Sequence, residues 1–262
     1  MLHKIYTIDF TRPCPYYFFM IVIFAALEDE IRPIKDEMVI DKSIRLKALS
    51  IYTGKYRGIK MAVVRSGIGS EAMKNAVRYA LQTLNPSMMV NIGYGGGLDP
   101  NLHPGDIVIA EELINGSDGT SIKADADALK HAISVAELEE IHYKIGKVVT
   151  VKAPILDASE KAYTGARFGA IVCDMESYHF ASSAIDAGKK FLVVKSILDP
   201  MDFALPECIK TMTGGDVSEK GFLSSVRAQD ITRLPQLIYF RREARRSIED
   251  FITKEVRHEY GI

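Results

Sequence analysis

The chain of 262 residues carries 33 basic and 34 acidic residues, has a net charge of -1, and is 47% hydrophobic. This composition excludes a disordered chain, and the balanced charge gives no general attraction to nucleic acid or to a membrane. The length suits one large α/β domain or two small ones. Three cysteines without a C-x-x-C pair predict neither a disulfide framework nor a zinc cluster, so we expect a cytoplasmic protein.

An apolar run of twelve residues, 16–27, opens the folded part of the chain. Such a run is typical of the first, fully buried strand of a parallel sheet. The alternative is the hydrophobic region of a signal peptide, but an acidic segment follows instead of a cleavage region. We therefore expect residues 1–19 to be an N-terminal extension and 20–262 to form one domain.

Further along the chain, strand-like runs alternate with helical patterns. A hairpin is expected around Gly54 and Gly58, and Pro33 is expected in the first turn of the preceding helix. This alternation predicts a three-layer α/β sandwich. The other predicted helices span 72–84, 176–187 and 234–260, and the other predicted strands span 88–92, 106–110, 147–151, 170–173 and 191–197.

Two glycine-rich segments, Ser66–Ser70 and Gly93–Gly97, follow predicted strands. Such turns let a ligand approach the backbone, and the start of a helix attracts anions. Neither segment fits the P-loop pattern. The alternative is that the glycines only permit tight turns.

Acidic residues follow three predicted strands: Glu30, Asp174 with Glu176, and Asp199. Ligand sites of α/β sheets gather at the carboxyl ends of strands, so some of these groups are expected to converge. Each one alone could equally be a helix cap or a solvated side chain.

Five segments stand out by their order and spacing: AALEDEI (25–31), RSGIGSEAMKNA (65–76), NIGYGGGLDPNLHPGDIVIAEE (91–112), CDMES (173–177) and VVKSILDPMD (193–202). Together they resemble the nucleoside phosphorylase/nucleosidase superfamily, and most closely its methylthioadenosine/S-adenosylhomocysteine nucleosidases. The resemblance extends from about Met20 to Asp202. The stretches VKAPILDASEKA (151–162), CDMES and LDPMDFALPE (198–207) further resemble the branch named hopanoid-associated phosphorylase, which implies adenosylhopane as one candidate substrate.

The resemblance implies a mixed, partly barrel-like sheet flanked by helices, and cleavage of the N-glycosidic bond of a 5′-substituted adenosine with release of adenine. By resemblance, Glu30 activates the attacking water and Asp199 serves N7 of the purine. Glu176 then binds the ribose hydroxyls, and Met175 packs against the ribose.

The remaining substrate-binding residues implied by the resemblance lie in three segments. They are Gly93, Tyr94 and Gly95 beside the sugar, Ile155 and Leu156 beside the adenine, and Asp174 next to the ribose site. The expected partner is a small nucleoside, with phosphate as a second candidate. No cofactor, metal or nucleic acid is expected, and a homodimer or larger homo-oligomer is implied.

Several residues depart from the family pattern. Tyr94 replaces a serine or threonine, Asn91 stands where one phosphorylase branch has a phosphate-binding arginine, and Ala26 replaces a glycine. These changes favour hydrolysis over phosphorolysis. Leu198 and Pro200 on either side of Asp199 leave its ionisation less supported. Besides a nucleosidase, a phosphate-dependent nucleoside phosphorylase is a second hypothesis. A binding protein that has lost catalysis, suggested by Tyr94 and Leu198, is a third.

Four arginines, Arg241, Arg242, Arg245 and Arg246, lie on the predicted C-terminal helix. One hypothesis is that they contact an anionic membrane surface when a lipid-like substrate is collected. The alternative is an ordinary solvated helix face.

Overall fold

The computed structural model describes residues 20–46, 48–209 and 232–260, so the expected extension at 1–19 lies outside the described residues. The strands are β1 (Ile21–Ala25), β2 (Met38–Leu46), β3 (Leu49–Tyr56), β4 (Ile59–Arg65), β5 (Met88–Gly97), β6 (Ile107–Asn115), β7 (Ser121–Lys123), β8 (Tyr143–Thr150), β9 (Val172–Asp174) and β10 (Lys190–Asp199). The helices are α1 (Glu28–Glu37), α2 (Ser70–Leu84), α3 (Ala126–Leu138), α4 (Ala158–Phe168), α5 (Ser177–Asp186) and α6 (Leu234–Tyr260).

All ten strands form one mixed sheet, which is partly closed on itself. Its order is β10-β6-β8-β9-β5-β1-β4-β3-β2, with β7 paired to β6. Because β10 also pairs with β5, the strands β5, β10, β6, β8 and β9 form a closed ring. The predicted α/β fold with a mixed, partly barrel-like sheet is confirmed.

Strand β1 lies at the centre of the sheet, parallel to both β4 and β5. Ile21, Ile23 and Ala25 pack into one core with α1, α3 and α6, whereas Val22 and Phe24 pack into a second core with α2 and α5. Burial on both faces explains why this segment is a continuous apolar run.

Helix α1 begins at Glu28, directly after the short turn that ends β1. Pro33 is its sixth residue and lies in the second turn, so its expected place in the first turn is wrong. Proline at this position removes one i to i−4 backbone hydrogen bond. The acidic first turn, Glu28–Glu30, lies at the positive end of the helix dipole.

The predicted hairpin is present as β3 and β4, which join at Arg57 and Gly58, both with positive φ. Four elements were not predicted: β2, β7, α3 and α4. Strand β2 is an edge strand with mostly exposed residues, so its sequence lacks the apolar alternation that marks a half-buried strand.

The composition of the segment Gly93–Gly97 suggested a loop, but the segment forms the end of strand β5. It pairs with β10 on one side and with β9 on the other. The ring of strands is tight here, since a Cβ atom on Gly95 would lie 2.4 Å from Cγ1 of Val172. Glycine at this position therefore lets β5 pack closely against the Val172 side chain of β9.

Replacing Gly95 by alanine should lower the free energy of unfolding by about 1–3 kcal/mol, because the added methyl group must displace Val172. Gly97→Ala is the matched control, since its Cβ would meet neighbours only at 3.4 Å or more. Urea denaturation of the two variants measures the difference. Equal stabilities would contradict this account of the glycines.

Helix α6 is present as predicted and packs against the sheet beside α1 and α3. Ala244, Ile248, Phe251 and Ile252 are buried there, and Tyr56 of β3 is hydrogen-bonded to Thr253 at 3.0 Å. Among the described helices, none has the length and apolar character needed to cross a bilayer.

Candidate active site

The candidate site is a cavity of about 170 Å³ at the carboxyl ends of β1, β5, β9 and β10. The parallel strands β1, β5 and β10 bring their carboxyl ends together here, and β9, which pairs antiparallel with β5, places Asp174 and Glu176 at the same cavity. The predicted site residues that line the cavity are Glu30, Tyr94, Gly95, Ile155, Asp174, Met175, Glu176 and Asp199.

Two predicted residues, Gly93 and Leu156, lie just outside this lining. Gly93 is directly behind the Glu30 carboxylate, where a Cβ would lie 2.9 Å from Oε1. The Leu156 carbonyl accepts a hydrogen bond from Leu205 N at 2.9 Å. Both residues therefore shape the cavity through the positions of their neighbours.

Glu30 lies in the first turn of α1 and is 3% exposed. Its Oε2 accepts a hydrogen bond from Leu27 N at 2.7 Å, and its Oε1 accepts one from Tyr94 N at 2.9 Å. Burial raises the pKa of Glu30, although these backbone donors and the Lys195 charge oppose the shift. The result is a fixed carboxyl group suited to accept a proton.

Asp199 ends strand β10 and is 3% exposed. Its Oδ2 accepts a hydrogen bond from the ammonium group of Lys161, a fully buried residue of α4. Burial raises the pKa of Asp199, Lys161 lowers it, and the net result is a pKa of about 6. A carboxyl group with this pKa is partly protonated near neutral pH, as a general acid must be.

Asp174 ends strand β9 and forms a buried ion pair with Lys195 of β10 at 2.9 Å. It also accepts hydrogen bonds from Thr150 Oγ1 at 2.7 Å and from Ser177 N at 2.9 Å. Burial alone would raise the pKa of Asp174, but Lys195 and these donors hold it below the ordinary value. With these partners, Asp174 joins β8, β9, β10 and α5 at the wall of the cavity.

Glu176 immediately precedes α5, and its Oε1 accepts a hydrogen bond from Gly69 N at 2.6 Å. This contact brings the Ser66–Ser70 segment to the edge of the site. Burial, followed by the nearby charge of Asp174, raises the pKa of Glu176 to about 8. Such a group can either donate or accept a hydrogen bond.

Tyr94 lines the cavity with its ring, but its hydroxyl group points to α1. The hydroxyl donates a hydrogen bond to Asp29 Oδ2 at 2.7 Å. Arg241 and Arg245 of α6 pair with the same carboxylate at 2.8 and 3.4 Å. The Tyr94 side chain thus belongs to a cluster that fastens α6 to α1, directly beside Glu30.

Residues 20–210 match the family model described as the phosphorylase superfamily. The chain belongs to this superfamily. The sequence-based prediction of a nucleoside phosphorylase or nucleosidase is thereby confirmed, together with the prediction that the chain is an enzyme of this class.

Relatives within the superfamily are distant. A 5′-methylthioadenosine/S-adenosylhomocysteine nucleosidase from Staphylococcus haemolyticus is 24% identical over 196 residues, which cover 69% of this chain and 86% of that protein. The structure of futalosine hydrolase from Helicobacter pylori has a TM-score of 0.74 at 18% identity and covers 92% of this chain and 98% of its own. A methylthioadenosine/S-adenosylhomocysteine nucleosidase from Neisseria meningitidis, in complex with methylthio-immucillin-A, has a TM-score of 0.73, also at 18% identity, with 91% and 99% coverage.

Three residues that belong to the site were not predicted from the sequence: Lys161, Lys195 and Asp29. A lysine inside the apolar run 191–197 was the one available signal, because a charge in a buried strand needs a partner. Lys161 carried no comparable signal, since its helix α4 was not predicted.

Asn91, which stands where one phosphorylase branch has a phosphate-binding arginine, and Arg65, which precedes the Ser66–Ser70 segment, both have structural roles here. Asn91 is fully buried, donates to Phe24 O at 3.2 Å and accepts from Ser177 Oγ at 3.1 Å. Arg65 lies beside Ser50 and Glu28, outside the cavity lining. Neither side chain is therefore placed to bind a phosphate in the cavity.

Replacing Tyr94 by phenylalanine should lower the free energy of unfolding by about 1.5–3 kcal/mol, since it removes a hydrogen bond to the Asp29 carboxylate, whose side chain is 12% exposed. The rate of base release should change little, because the hydroxyl points away from the cavity. Tyr239→Phe, at an exposed position of α6, is the control. Lost activity with unchanged stability would assign the Tyr94 hydroxyl to the substrate instead.

Proposed function

We propose that the protein is an N-glycosyl hydrolase that releases adenine from a 5′-substituted adenosine. The observation that carries the proposal is that two buried carboxyl groups, Glu30 and Asp199, line one cavity, each suited to a different proton transfer. Breaking the glycosidic bond leaves positive charge on the ribosyl ring and negative charge on the departing purine, so one acid and one base are needed.

In the proposed reaction, Asp199 gives its proton to N7 while the electrons of the C1′–N9 bond pass to the purine. A water molecule forms a bond to C1′ and gives its proton to Glu30. Glu176 holds the ribose hydroxyls and lies near the developing positive charge, and Met175 packs against the sugar. The proton on Glu30 afterwards returns through solvent, and Asp199 is protonated again.

Hydrolysis is favoured over phosphorolysis by the charges around the cavity. Three carboxyl groups, Glu30, Asp174 and Glu176, lie close to Lys195, and the Lys195 ammonium is already paired with Asp174. A phosphate dianion needs cationic partners, and Lys195, the cation beside these carboxyl groups, is already held by Asp174, whereas a neutral water molecule needs none. Tyr94 further fills a position where the family has a small hydroxyl-bearing residue.

The test asks whether adenine is the base released and which 5′ substituent on the sugar is accepted. Apolar side chains line the cavity beside the carboxyl groups, among them Ile155, Leu198 and Leu205, which suits a flat purine ring. Purified protein should be incubated with methylthioadenosine, adenosine and adenosylhopane, and free adenine should be measured by chromatography. We expect adenine from at least one 5′-substituted nucleoside at a higher kcat/KM than from adenosine. If no adenine is released from any of them, the result would support the hypothesis that the protein binds nucleosides without cleaving them.

Two of the four arginines proposed for membrane contact, Arg241 and Arg245, are paired with Asp29, and Arg246 is paired with Glu243. These pairings favour the solvated helix face over the membrane hypothesis. Binding to anionic vesicles at low salt remains its direct test.

A further inference from the structure

Lys161 is a buried cation to which the proposed reaction assigns no role. It lies on α4 with no exposed surface, and its ammonium group donates to three oxygens. One is Asp199 Oδ2; the others are the carbonyls of Pro200 at 2.9 Å and Phe203 at 2.8 Å. All three N–H donors of a lysine are thereby used, and all three acceptors belong to the end of β10 or the turn that follows it.

A buried ammonium group is costly unless it is paired and fully hydrogen-bonded. A neutral side chain would tie α4 to this turn at lower cost, so anchoring alone does not account for a lysine. The charge itself acts on Asp199, which is the carboxyl group nearest to it. The charge of Lys161 therefore acts where Asp199 is proposed to protonate the departing purine.

The titratable groups that face Asp199 come from two elements. Lys161 approaches from α4, and Cys173 approaches from β9. Burial raises the pKa of the Cys173 thiol to about 12, so this thiol remains neutral at physiological pH. Gly96 of β5 lies against the carboxyl group and adds no charge. Among the described residues, Lys161 is therefore the charge that offsets the burial of Asp199.

We infer that Lys161 is a positioning residue for the general acid. Its ammonium group holds Oδ2 of Asp199 and directs Oδ1 towards the base. It also lowers the pH at which Asp199 loses its proton. This inference rests on the proposed function, in which Asp199 protonates N7. Oδ1 carries the proton in the active form and becomes a carboxylate oxygen when the proton moves to N7. The ammonium group then stabilises the carboxylate that forms, and Lys161 itself gains and loses no proton.

The consequence is a specific pH dependence. Asp199 must be protonated to act, so activity falls on the alkaline side as Asp199 ionises. The positive charge of Lys161 favours the ionised form and keeps this fall at lower pH than burial alone would. Removing the charge should therefore move the fall to higher pH, even though the carboxyl group is held less firmly.

The test compares pH profiles of kcat/KM for the wild type, Lys161→Met and Lys161→Gln. We expect the alkaline midpoint to rise by about 1–3 pH units in both variants, the range by which one nearby opposite charge shifts a carboxyl group. The maximal rate should fall by up to about 10²-fold, because the carboxyl group is no longer oriented. Glutamine retains hydrogen bonds to the turn, so it provides a second variant if methionine prevents folding.

Glu160→Gln, at the exposed neighbouring position of α4, is the matched control and should leave both midpoint and rate unchanged. A folded Lys161 variant with the wild-type midpoint would overturn the inference and leave only a structural role. Asp199→Asn separates this failure from that of the proposed function. If Asp199→Asn keeps the wild-type rate, the role of Asp199 is wrong; if it is inactive and the midpoint of Lys161→Met is unmoved, only the role of Lys161 is wrong.

Discussion

Replacing Glu30 by glutamine should lower kcat by about 10²–10⁴-fold, the contribution expected of a general base. The amide has nearly the same shape but cannot take a proton from water. It also fits the site less well, since both Glu30 oxygens accept backbone hydrogen bonds and an amide nitrogen cannot. Steady-state release of the base, with circular dichroism to verify folding, measures the effect.

Glu28→Gln is the control for this change. Glu28 lies on the same turn of α1, but it is partly exposed, pairs with Lys35, and is outside the cavity lining. It should retain the wild-type kcat. A folded Glu30→Gln variant with wild-type activity would remove Glu30 from the mechanism.

Replacing Asp199 by asparagine should have two separate effects. The variant has no proton to give to N7, so base release should fall by about 10²–10⁴-fold. It also leaves the Lys161 ammonium buried without a counter-charge, which should lower the free energy of unfolding by about 3–5 kcal/mol. Both effects follow from one carboxyl group, but they are measured independently by kinetics and by urea denaturation.

Two further variants distinguish the effects. Asp202→Asn, at an exposed position of the same turn, should change neither activity nor stability. The double variant Asp199→Asn with Lys161→Met removes both charges and should recover much of the stability without recovering activity. If the double variant were no more stable than Asp199→Asn alone, the buried ion pair would not be the source of the lost stability.

The central strand and the convergence of the acids could be predicted from the sequence. An apolar run buried on both faces is visible without a structure, and β1 is such a run. Carboxyl groups that follow parallel strands are brought together by the sheet, so Glu30 and Asp199 could be grouped before their contacts were known. Glu176 joins them by another route, since it follows β9, which pairs antiparallel with β5.

The partners of those acids could not be predicted, because each pairing depends on tertiary packing. Lys161 and Asp199 are 38 positions apart, and nothing in the helical pattern around Lys161 indicates the contact. The direction of the Tyr94 hydroxyl depends on where α6 packs. The glycines of β5 suggested a loop because glycine is rare in strands, whereas the closed barrel requires small residues there.

Hydrolysis, as opposed to phosphorolysis, is tested most directly by the effect of phosphate on the wild-type protein. Base release from the best nucleoside of the panel should be measured with and without phosphate, and the products should be examined by phosphorus NMR. Hydrolysis by Glu30 and water predicts a rate independent of phosphate, with a free sugar as the second product. A rate that requires phosphate, together with a sugar 1-phosphate, would contradict hydrolysis by Glu30 and water.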